Sequence, residues 1–327
     1  MTRHAPSPSP RAKSVLAIVV LALVLVASAG RSLATEGGNS HYTQGSYGDF
    51  AMGIVPESGF YLRNDTIYLS QKIGHSLSGG TSYGMLKVST VLDLVKLCYF
   101  FDIPAIGASA GVGLGLPIIA NTYVGGIMNT FDPRARNNGT SKATDGNRAG
   151  LSDIFLMPLM LGWNFGECHL ALSPTVYLPT GYYDKNVLTN LGTNYATFDP
   201  NVAFTWLSKM GFELSVNTGY MLNTENTATQ YLSGNQFHVD WTLAQHFTEK
   251  FALGIVGYAV AQATPDSGPG ATQGAFMSSG VGLGPTAIFT TPVFGKDLTI
   301  IAKWLHDLGD QNRLHGDALY LSLAMDF

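Results

Sequence analysis

The sequence predicts an all-β protein: a transmembrane antiparallel β-barrel of the outer-membrane type, with about twelve strands. Three observations predict this class: the pattern of the last residues, the absence of a long apolar run after the N-terminal segment, and a low charge content. Only 12% of the 327 residues are charged, against ~25% in an ordinary soluble protein, and 38 residues are glycine. This composition is typical of a barrel, because the apolar residues of a barrel occupy alternate positions along each strand.

The C-terminal segment has the period of a β-strand. From Leu319 to Phe327 every second residue is large and apolar, and the residues between are small or polar. A strand with this pattern has one apolar and one polar face. A chain that ends on such a strand, with an aromatic residue last, resembles bacterial outer-membrane barrels. That resemblance implies a place in the outer membrane of a Gram-negative bacterium, among its lipids and lipopolysaccharide, and recognition of the Phe327 strand by the barrel assembly machinery.

Residues 1–34 are predicted to be a secretory signal peptide. Three basic residues precede an unbroken apolar run from Val15 to Val26, which is too short to cross a bilayer as a helix. Small residues follow, and cleavage is expected after Ala34; a retained membrane anchor stays open as the alternative. The segment holds four of the 18 basic residues and none of the 22 acidic ones, so the mature chain is acidic. No basic stripe is therefore available for nucleic acid.

Alternation of apolar and polar residues predicts the strands of the barrel. They span 60–71, 83–97, 104–128, 151–164, 168–180, 196–208, 211–223, 235–247, 250–262, 279–291, 297–307 and 318–327. Twelve is an even number, as in single-chain bacterial barrels. The third strand is poorly defined because residues 107–115 are rich in glycine, so ten or fourteen strands stay open. Short turns alternate with longer polar connections such as 132–150, as tight periplasmic turns and extended outer loops would.

Residues 35–58 precede the first strand and show no periodicity. They are expected to form either a loose periplasmic tail or a plug inside the lumen, ahead of a barrel that spans residues 59–327. The first possibility follows from the usual looseness of chain termini. The second would narrow any passage through the barrel.

Three spaced motifs lie within residues 36–65. They read Glu36-Gly37-Gly38-x-Ser40-His41-Tyr42, Gly45-x-Tyr47-Gly48-Asp49-Phe50 and Gly59-x-Tyr61-Leu62-Arg63-Asn64-Asp65. In this order they resemble the MetA-pathway family of phenol degradation, outer-membrane proteins that are encoded near genes of aromatic catabolism. Members are regarded as channels for hydrophobic compounds, similar in role to the long-chain fatty acid and toluene channels. The resemblance implies passive uptake of small hydrophobic or aromatic compounds.

Charged residues on the predicted inner face are candidates for lining the lumen. They are Arg63, Asp65, Lys87, Asp93, Glu213, His238, Asp240 and Lys303. This assignment assumes that the apolar positions of each strand face lipid, where a basic group would cost ~2–4 kcal/mol at the midplane. Arg63 and Asp65 share one face of a strand and both belong to the third motif. Two interpretations stay open: an ion-paired interior that braces the wall, or groups that contact a passing solute.

Two other functions stay open: a sealed structural or adhesive barrel, and an outer-membrane lipid hydrolase. For the hydrolase, His75, Ser76 and Ser78 are the candidate residues, but neighbours on an extended strand point to opposite faces. A glycine- and serine-rich turn explains them better. The sequence contains no zinc-type spacing or phosphate loop, so neither an enzyme nor a cofactor or metal is expected. Pairing of Cys98 with Cys168 is left open, because geometry decides it.

Overall fold

The computed structural model describes Glu36 and residues 40–73, 76–78, 81–129, 141–272 and 274–327. The predicted signal peptide, residues 1–34, lies outside the described residues. The strands are β1 (Gly59–Ile73, continued by Ser76–Ser78), β2 (Thr81–Ile103), β3 (Ala108–Asn129), β4 (Ser141–Leu151 and Phe155–Phe165), β5 (Cys168–Leu172 and Thr175–Tyr177), β6 (Thr197–Asp199 and Asn201–Leu207), β7 (Phe212–Asn223), β8 (Gln236–Thr248), β9 (Phe251–Gln262), β10 (Ser279–Val293), β11 (Lys296–Gln311) and β12 (His315–Asp326). No helix in the described part of the chain is long and apolar enough to cross a bilayer.

The strands form a closed antiparallel barrel. Each strand pairs with its neighbours in sequence, and β12 pairs with β1 from Tyr61 opposite Asp326 to Lys72 opposite His315. The backbone N–H of Phe327 donates to the carbonyl oxygen of Phe60 at 2.8 Å, which extends this seam by one hydrogen bond. Closure leaves no strand edge facing lipid, as a membrane-spanning sheet requires. The predicted fold class and the count of twelve strands are confirmed.

The outward face carries an apolar band between two rings of exposed aromatic side chains. On β12, Leu319, Leu321 and Leu323 point outward, while Tyr320 and Ser322 are buried inside. One girdle lies at the end of the barrel where β1 begins and β12 ends. It consists of Phe60, Tyr99, Phe165, Phe212, Phe247, Phe251 and Phe294. The other girdle lies on the side of the long loops and consists of Tyr68, Tyr123, Phe198, Phe237 and Trp304. This is the surface of an outer-membrane barrel, with aromatic girdles at both interfaces.

Connections at the two ends of the barrel differ in length. At the end that holds the β1 and β12 termini the turns are short, such as 166–167 between β4 and β5 and 249–250 between β8 and β9. At the other end the connections 178–196, 224–235 and 263–278 are long. Part of the predicted loop 132–150 differs, because Ser141–Leu151 continues β4 and pairs with β3.

The glycine-rich stretch that obscured the third strand belongs to β3. A 3₁₀ turn at Pro104–Ile106 ends β2, and Gly107 follows in the left-handed conformation with φ +59°. Glycines at 111, 113 and 115 then lie directly beneath the side chains of Phe100, Met157 and Phe155. A Cβ atom at these three positions would overlap those side chains. The glycines therefore make room for large groups inside the barrel.

Strand β2 has the opposite facing from the one expected. Its register with β1 places Leu86, Leu92 and Leu94 on the inward face and Lys87 and Asp93 on the outward face. The expectation for Lys87 and Asp93 as lumen-facing residues is therefore wrong. The reason is that the inner wall of this part of the barrel is apolar, so the rule that apolar side chains face lipid does not hold here.

Asp93 lies on the outward face at mid-height. The Thr66 hydroxyl donates to its Oδ1 atom at 2.7 Å, and Asn64 lies beside them on the same face. On β1, Asn64 is midway between Phe60 and Tyr68, which belong to the two aromatic girdles. The carboxylate therefore faces the apolar band and is held by a neighbouring hydroxyl.

We expect Asp93→Ala to leave the free energy of unfolding unchanged or to raise it by less than ~2 kcal/mol. The reason is that a lipid-facing charge is unfavourable in proportion to its depth, with carboxylates less costly than basic groups. Urea unfolding in phospholipid vesicles, followed by tryptophan fluorescence, measures the change. A loss of more than ~1 kcal/mol would show that the Thr66 hydrogen bond outweighs the cost of the exposed charge.

Candidate functional site in the lumen

Residues 40–58 run along the inside of the barrel. Near the long loops, His41 contacts Thr197 and Asp153 at 2.7 and 3.1 Å. Near the short turns, the Gly53 N–H donates to the Thr205 hydroxyl at 2.8 Å, and the segment then enters β1. Its contacts are to inward-facing side chains on strands around the barrel. We call residues 40–58 the lumen segment.

Tyrosines and backbone amides of the lumen segment bond to buried carboxylates of the wall. The Tyr42 hydroxyl donates to Asp240 at 3.0 Å and the Tyr47 hydroxyl to Asp199 at 2.8 Å. The backbone N–H of Ala51 donates to Glu213 Oε1 at 2.6 Å. All three carboxylate residues are 0% exposed. Because a buried carboxylate without partners is very costly, these bonds fix the segment against β6, β7 and β8.

Lys303 holds the segment from the opposite side of the barrel. Its ammonium donates to the carbonyl oxygens of Gly45 and Gly48 at 2.7 and 2.5 Å. The side chain also lies over the ring of Tyr320, whose hydroxyl donates to the carbonyl of Gln44 at 2.7 Å. Lys303 is therefore an inward-facing residue, as predicted, but it is buried and engaged by backbone.

A cluster of four charges lies near the mid-height of β1 and β2, on the side of the cavity that faces the short turns. Arg63 pairs with Asp49 of the lumen segment at 2.5 Å and with Asp65 at 2.7 Å. Lys96, directly opposite Arg63 in the β1–β2 register, pairs with Asp65 at 3.0 Å. Asp65 is 3% exposed, so one buried carboxylate separates two cations. The Arg63–Asp49 pair is the ionic contact of this cluster with the lumen segment.

His238 lies between two carboxylates in the centre of the barrel. Its Nε2 atom is 3.1 Å from Asp199 and its Nδ1 atom 3.4 Å from Asp240. The ring stacks on Tyr47 with centroids 4.8 Å apart. Arg63, Asp65, Glu213, His238, Asp240 and Lys303 thus all lie on the inward face, and their part in passage of a solute is taken up below.

Opposite the polar contacts, the lumen contains a cavity of ≈ 550 Å³. On the side of β1 to β4 its wall is mainly apolar and is formed by Ile67, Leu69, Leu86, Val88, Leu92, Leu94, Ile119, Val124, Phe155 and Met157, with Gln71, Thr90 and Thr122 among them. Polar residues of the lumen segment, of β5 and of the loop 178–196 line the other side. Arg63, Lys96 and Asp49 border it towards the short turns, and Leu188 and Leu191 border it towards the long loops. The lumen therefore has two halves: a polar half occupied by the lumen segment, and an open half walled mainly by apolar side chains of β1 to β4, which we call the apolar half.

Side chains of the long loops bond to the start of the described chain. Glu36 accepts hydrogen bonds from Asn226 at 2.8 Å and Thr229 at 3.1 Å, and the Tyr183 hydroxyl donates to it at 3.5 Å. Burial, reinforced by the nearby Glu36 carboxylate, raises the pKa of Tyr183. The phenol therefore stays protonated and acts as a donor. These contacts join the chain that precedes the lumen segment to the loops 178–196 and 224–235.

Several residues of this site were not expected from the sequence. Asp49 stands in the second motif, which was a usable signal, and Lys96 lies opposite Arg63. Asp199 carried no signal, because a strand break at Pro200 conceals the alternation around it. Cys98 and Cys168 are free, so the open question of their pairing is answered. His75, one of the candidates for a hydrolase, lies outside the described residues.

The closed ring of twelve strands, the apolar outer band and the occupied lumen define an outer-membrane barrel of the channel type. The chain belongs to the family described as "Putative MetA-pathway of phenol degradation", whose model matches residues 75–323. The match covers β2 to β11 and most of β12. It begins after residues 36–65, which hold the three motifs that carried the resemblance.

One solved structure shows the same fold, and two others align with lower scores. An outer membrane channel from Pseudomonas putida F1 aligns with a TM-score of 0.65 and 14% identity, covering 88% of this chain and 100% of that one. The NanC porin aligns with a TM-score of 0.41 and 9% identity, over 82% and 98% of the two chains. The transport unit of the autotransporter AIDA-I from Escherichia coli gives 0.40 and 11%, over 82% and 90%. No curated protein sequence matches the chain.

Proposed function

We propose that the protein is a passive channel for the uptake of small hydrophobic compounds, including aromatic ones, across the outer membrane. The observation that carries the proposal is the mainly apolar wall that β1 to β4 give to one side of the ≈ 550 Å³ cavity inside the barrel. Water-filled barrels have polar interiors. An apolar inner wall instead favours a solute that gains free energy by leaving water, at ~25 cal/mol per Å² of apolar surface.

The size and borders of the cavity suit a small solute. Its volume falls within the ~300–1,000 Å³ of small-molecule sites. An apolar molecule would rest against Leu92, Leu94 and Ile119, and would leave past Arg63 and Lys96. Because these two cations are paired with Asp49 and Asp65, they offer little attraction to an ion. The aromatic class of solute is supported by the family's connection with phenol degradation.

The lumen segment acts in this proposal as a plug. It fills the polar half of the lumen and bonds to Asp240, Glu213 and Lys303, which leaves a passage only along the apolar half. The six inward charges then have a bracing role: they hold the plug in place, and Arg63 alone among them also borders the cavity. No bond of the solute is made or broken, so the proposal involves no catalytic step.

We expect Leu92→Trp and Ile119→Trp to slow uptake by about tenfold each, which corresponds to ~1.4 kcal/mol of added barrier. These residues lie opposite each other in the β2–β3 register, and both side chains line the cavity. An indole at either position would occupy the space in which the solute rests. Uptake of radiolabelled toluene and phenol by a deletion strain carrying each variant measures the effect.

Leu97→Trp is the matched control, because Leu97 lies on the same strand, faces lipid and is 46% exposed. It should take up solute at the wild-type rate. Equal rates in all three variants would contradict passage through the cavity. If the wild-type protein also gives no uptake above that of the deletion strain, the barrel is sealed and its function is structural. The observation that favours this alternative is the dense hydrogen bonding of the lumen segment to the wall.

A further inference from the structure

We propose that β1 and β2 carry a binding site for the phosphate groups of lipid A, the membrane anchor of lipopolysaccharide, on their outer surface. The site centres on Lys72 and Lys87, which stand directly opposite each other in the β1–β2 register. Both side chains are exposed on the outward face. The inference rests on the outer-membrane barrel itself and does not depend on transport.

The two lysines form an unusual pair. Like charges directly opposite each other on one face of a sheet repel and destabilise it. Within the described residues, the ion pairs of the chain include neither ammonium group. An anion placed between the two groups would convert this repulsion into attraction, and a phosphate can accept hydrogen bonds from both.

The height of the pair on the barrel matches the outer interface of the membrane. Lys72 lies four residues beyond Tyr68, a member of the girdle on the side of the long loops. At ~3.3 Å per residue and a tilt of ~35–45°, the Cα atom of Lys72 stands about 10 Å above that girdle. The level above the aromatic girdle is that of the lipid headgroups, and in the outer leaflet of this membrane those headgroups belong to lipid A.

The surroundings of the pair are shaped to receive a headgroup. An open groove of ≈ 720 Å³ contains both lysines together with Ser70, Ser89 and Tyr123. Ser70 and Ser89 are opposite each other in the same register, one step nearer the girdle, so two hydroxyls lie beneath the two ammonium groups. These donors suit a phosphorylated sugar, whose acyl chains would lie along the apolar band below.

The acidic residues nearby are largely engaged. Asp317 accepts hydrogen bonds from His306 Nδ1 and Trp304 Nε1, both at 2.9 Å. Asp310 lies 2.9 Å from His315, the residue opposite Lys72 on β12. Asp145, on β4, is separated from Lys87 by Gly125. Asp307, the third carboxylate that lines the groove, accepts hydrogen bonds from the Gly316 N–H at 2.9 Å and from Gln44 at 3.3 Å. The three carboxylates of the groove thus lie against other partners, whereas the two ammonium groups enter no ion pair among the described residues.

The test is binding of diphosphoryl lipid A to the folded, detergent-solubilised barrel, followed by native mass spectrometry. We expect Lys72→Gln together with Lys87→Gln to weaken binding by about fivefold for each lysine, the usual effect of a basic residue near an anionic membrane surface. The conservative pair Lys72→Arg and Lys87→Arg should retain binding. Lys209→Gln with Lys250→Gln is the matched control, because these exposed lysines lie in turns at the other end of the barrel.

Three comparisons of binding decide whether the proposal holds. Weaker binding confined to the Lys72/Lys87 glutamine pair, together with weaker binding of lipid A that lacks its phosphates, supports the proposal. Equal binding by the glutamine pair and the control pair overturns it. Equal binding of phosphatidylglycerol also overturns the assignment to lipid A. Heat-dependent migration on SDS gels verifies that each variant is folded, so a loss of binding is not a loss of structure.

Discussion

Deleting residues 40–58 is expected to raise the ionic conductance of the barrel by about tenfold or more, because a twelve-stranded barrel is wider than the eight-stranded barrels that side chains fill. The lumen segment occupies the polar half of the interior and bonds to Asp240, Glu213 and Lys303. Without it, water replaces its amides, carbonyls and hydroxyls at these charges. The lumen then becomes a wet path for ions.

Single-channel recording in planar bilayers with symmetric potassium chloride measures this change. A variant with the sequence of residues 40–58 scrambled is the matched control for chain length and composition, and it should also conduct more than wild type, since it lacks the specific contacts. Heat-dependent migration verifies that both barrels are closed. Wild-type conductance in the deletion variant would mean that side chains of the wall, and not the segment, limit the passage.

Asp65→Ala is expected to destabilise the barrel by about 3–5 kcal/mol, the cost of breaking a buried ion pair by removing one partner. Asp65 accepts from Arg63 and pairs with Lys96, which face each other across β1 and β2. Alanine would leave these two cations opposed with no carboxylate between them. Repulsion then adds to the loss of two charge-assisted hydrogen bonds.

Urea unfolding in phospholipid vesicles gives the free energy directly. Asp93→Ala, in the neighbouring strand, is the control for loss of a carboxylate on the outward face. Adding Lys96→Met to Asp65→Ala should recover part of the stability, because only Arg63 then remains, and Asp49 still pairs with it. Failure of the double variant to recover any stability would show that packing, and not charge, makes Asp65 important.

The strands could be predicted because most of them have a single apolar face. On β7 and β8 the buried residues Glu213, His238 and Asp240 alternate with outward Phe and Leu side chains, so both the strand and its facing are readable. The final strand shows the same alternation. Closure of the barrel could be predicted from the outer-membrane class, because an open strand edge would have no hydrogen-bond partners in lipid.

The facing of strand β2 could not be predicted from the same alternation. Apolar side chains lie on both of its faces, with Leu92 and Leu94 towards the cavity and Val95 and Leu97 towards lipid. The alternation then does not show which face is outward. The polar side chains of Lys87 and Asp93 wrongly indicate that their own face is the inner one. The apolar cavity is a property of several strands together, and the facing of β2 depends on it.

The site was only partly predictable, because the residues of the lumen segment and the wall residues that they contact are far apart in the sequence. The hydrogen bonds from Tyr42 to Asp240 and from Lys303 to Gly45 join residues far apart along the chain. Inward-facing charges could be anticipated strand by strand. Their partners in a segment without periodicity could not, since nothing local in residues 40–58 specifies which wall residue each one meets.

The pairing of β1 with β12 also has a consequence for biogenesis. The lumen segment leaves the ribosome early, whereas Lys303 and Tyr320, which hold it, are among the last residues made. Its anchors on the two sides of the barrel come together only when the first and last strands meet. Docking of the segment and closure of the barrel are therefore coupled steps. A chain arrested before its final hairpin would keep the contacts of the segment to β6, β7 and β8 but would lack those to Lys303 and Tyr320.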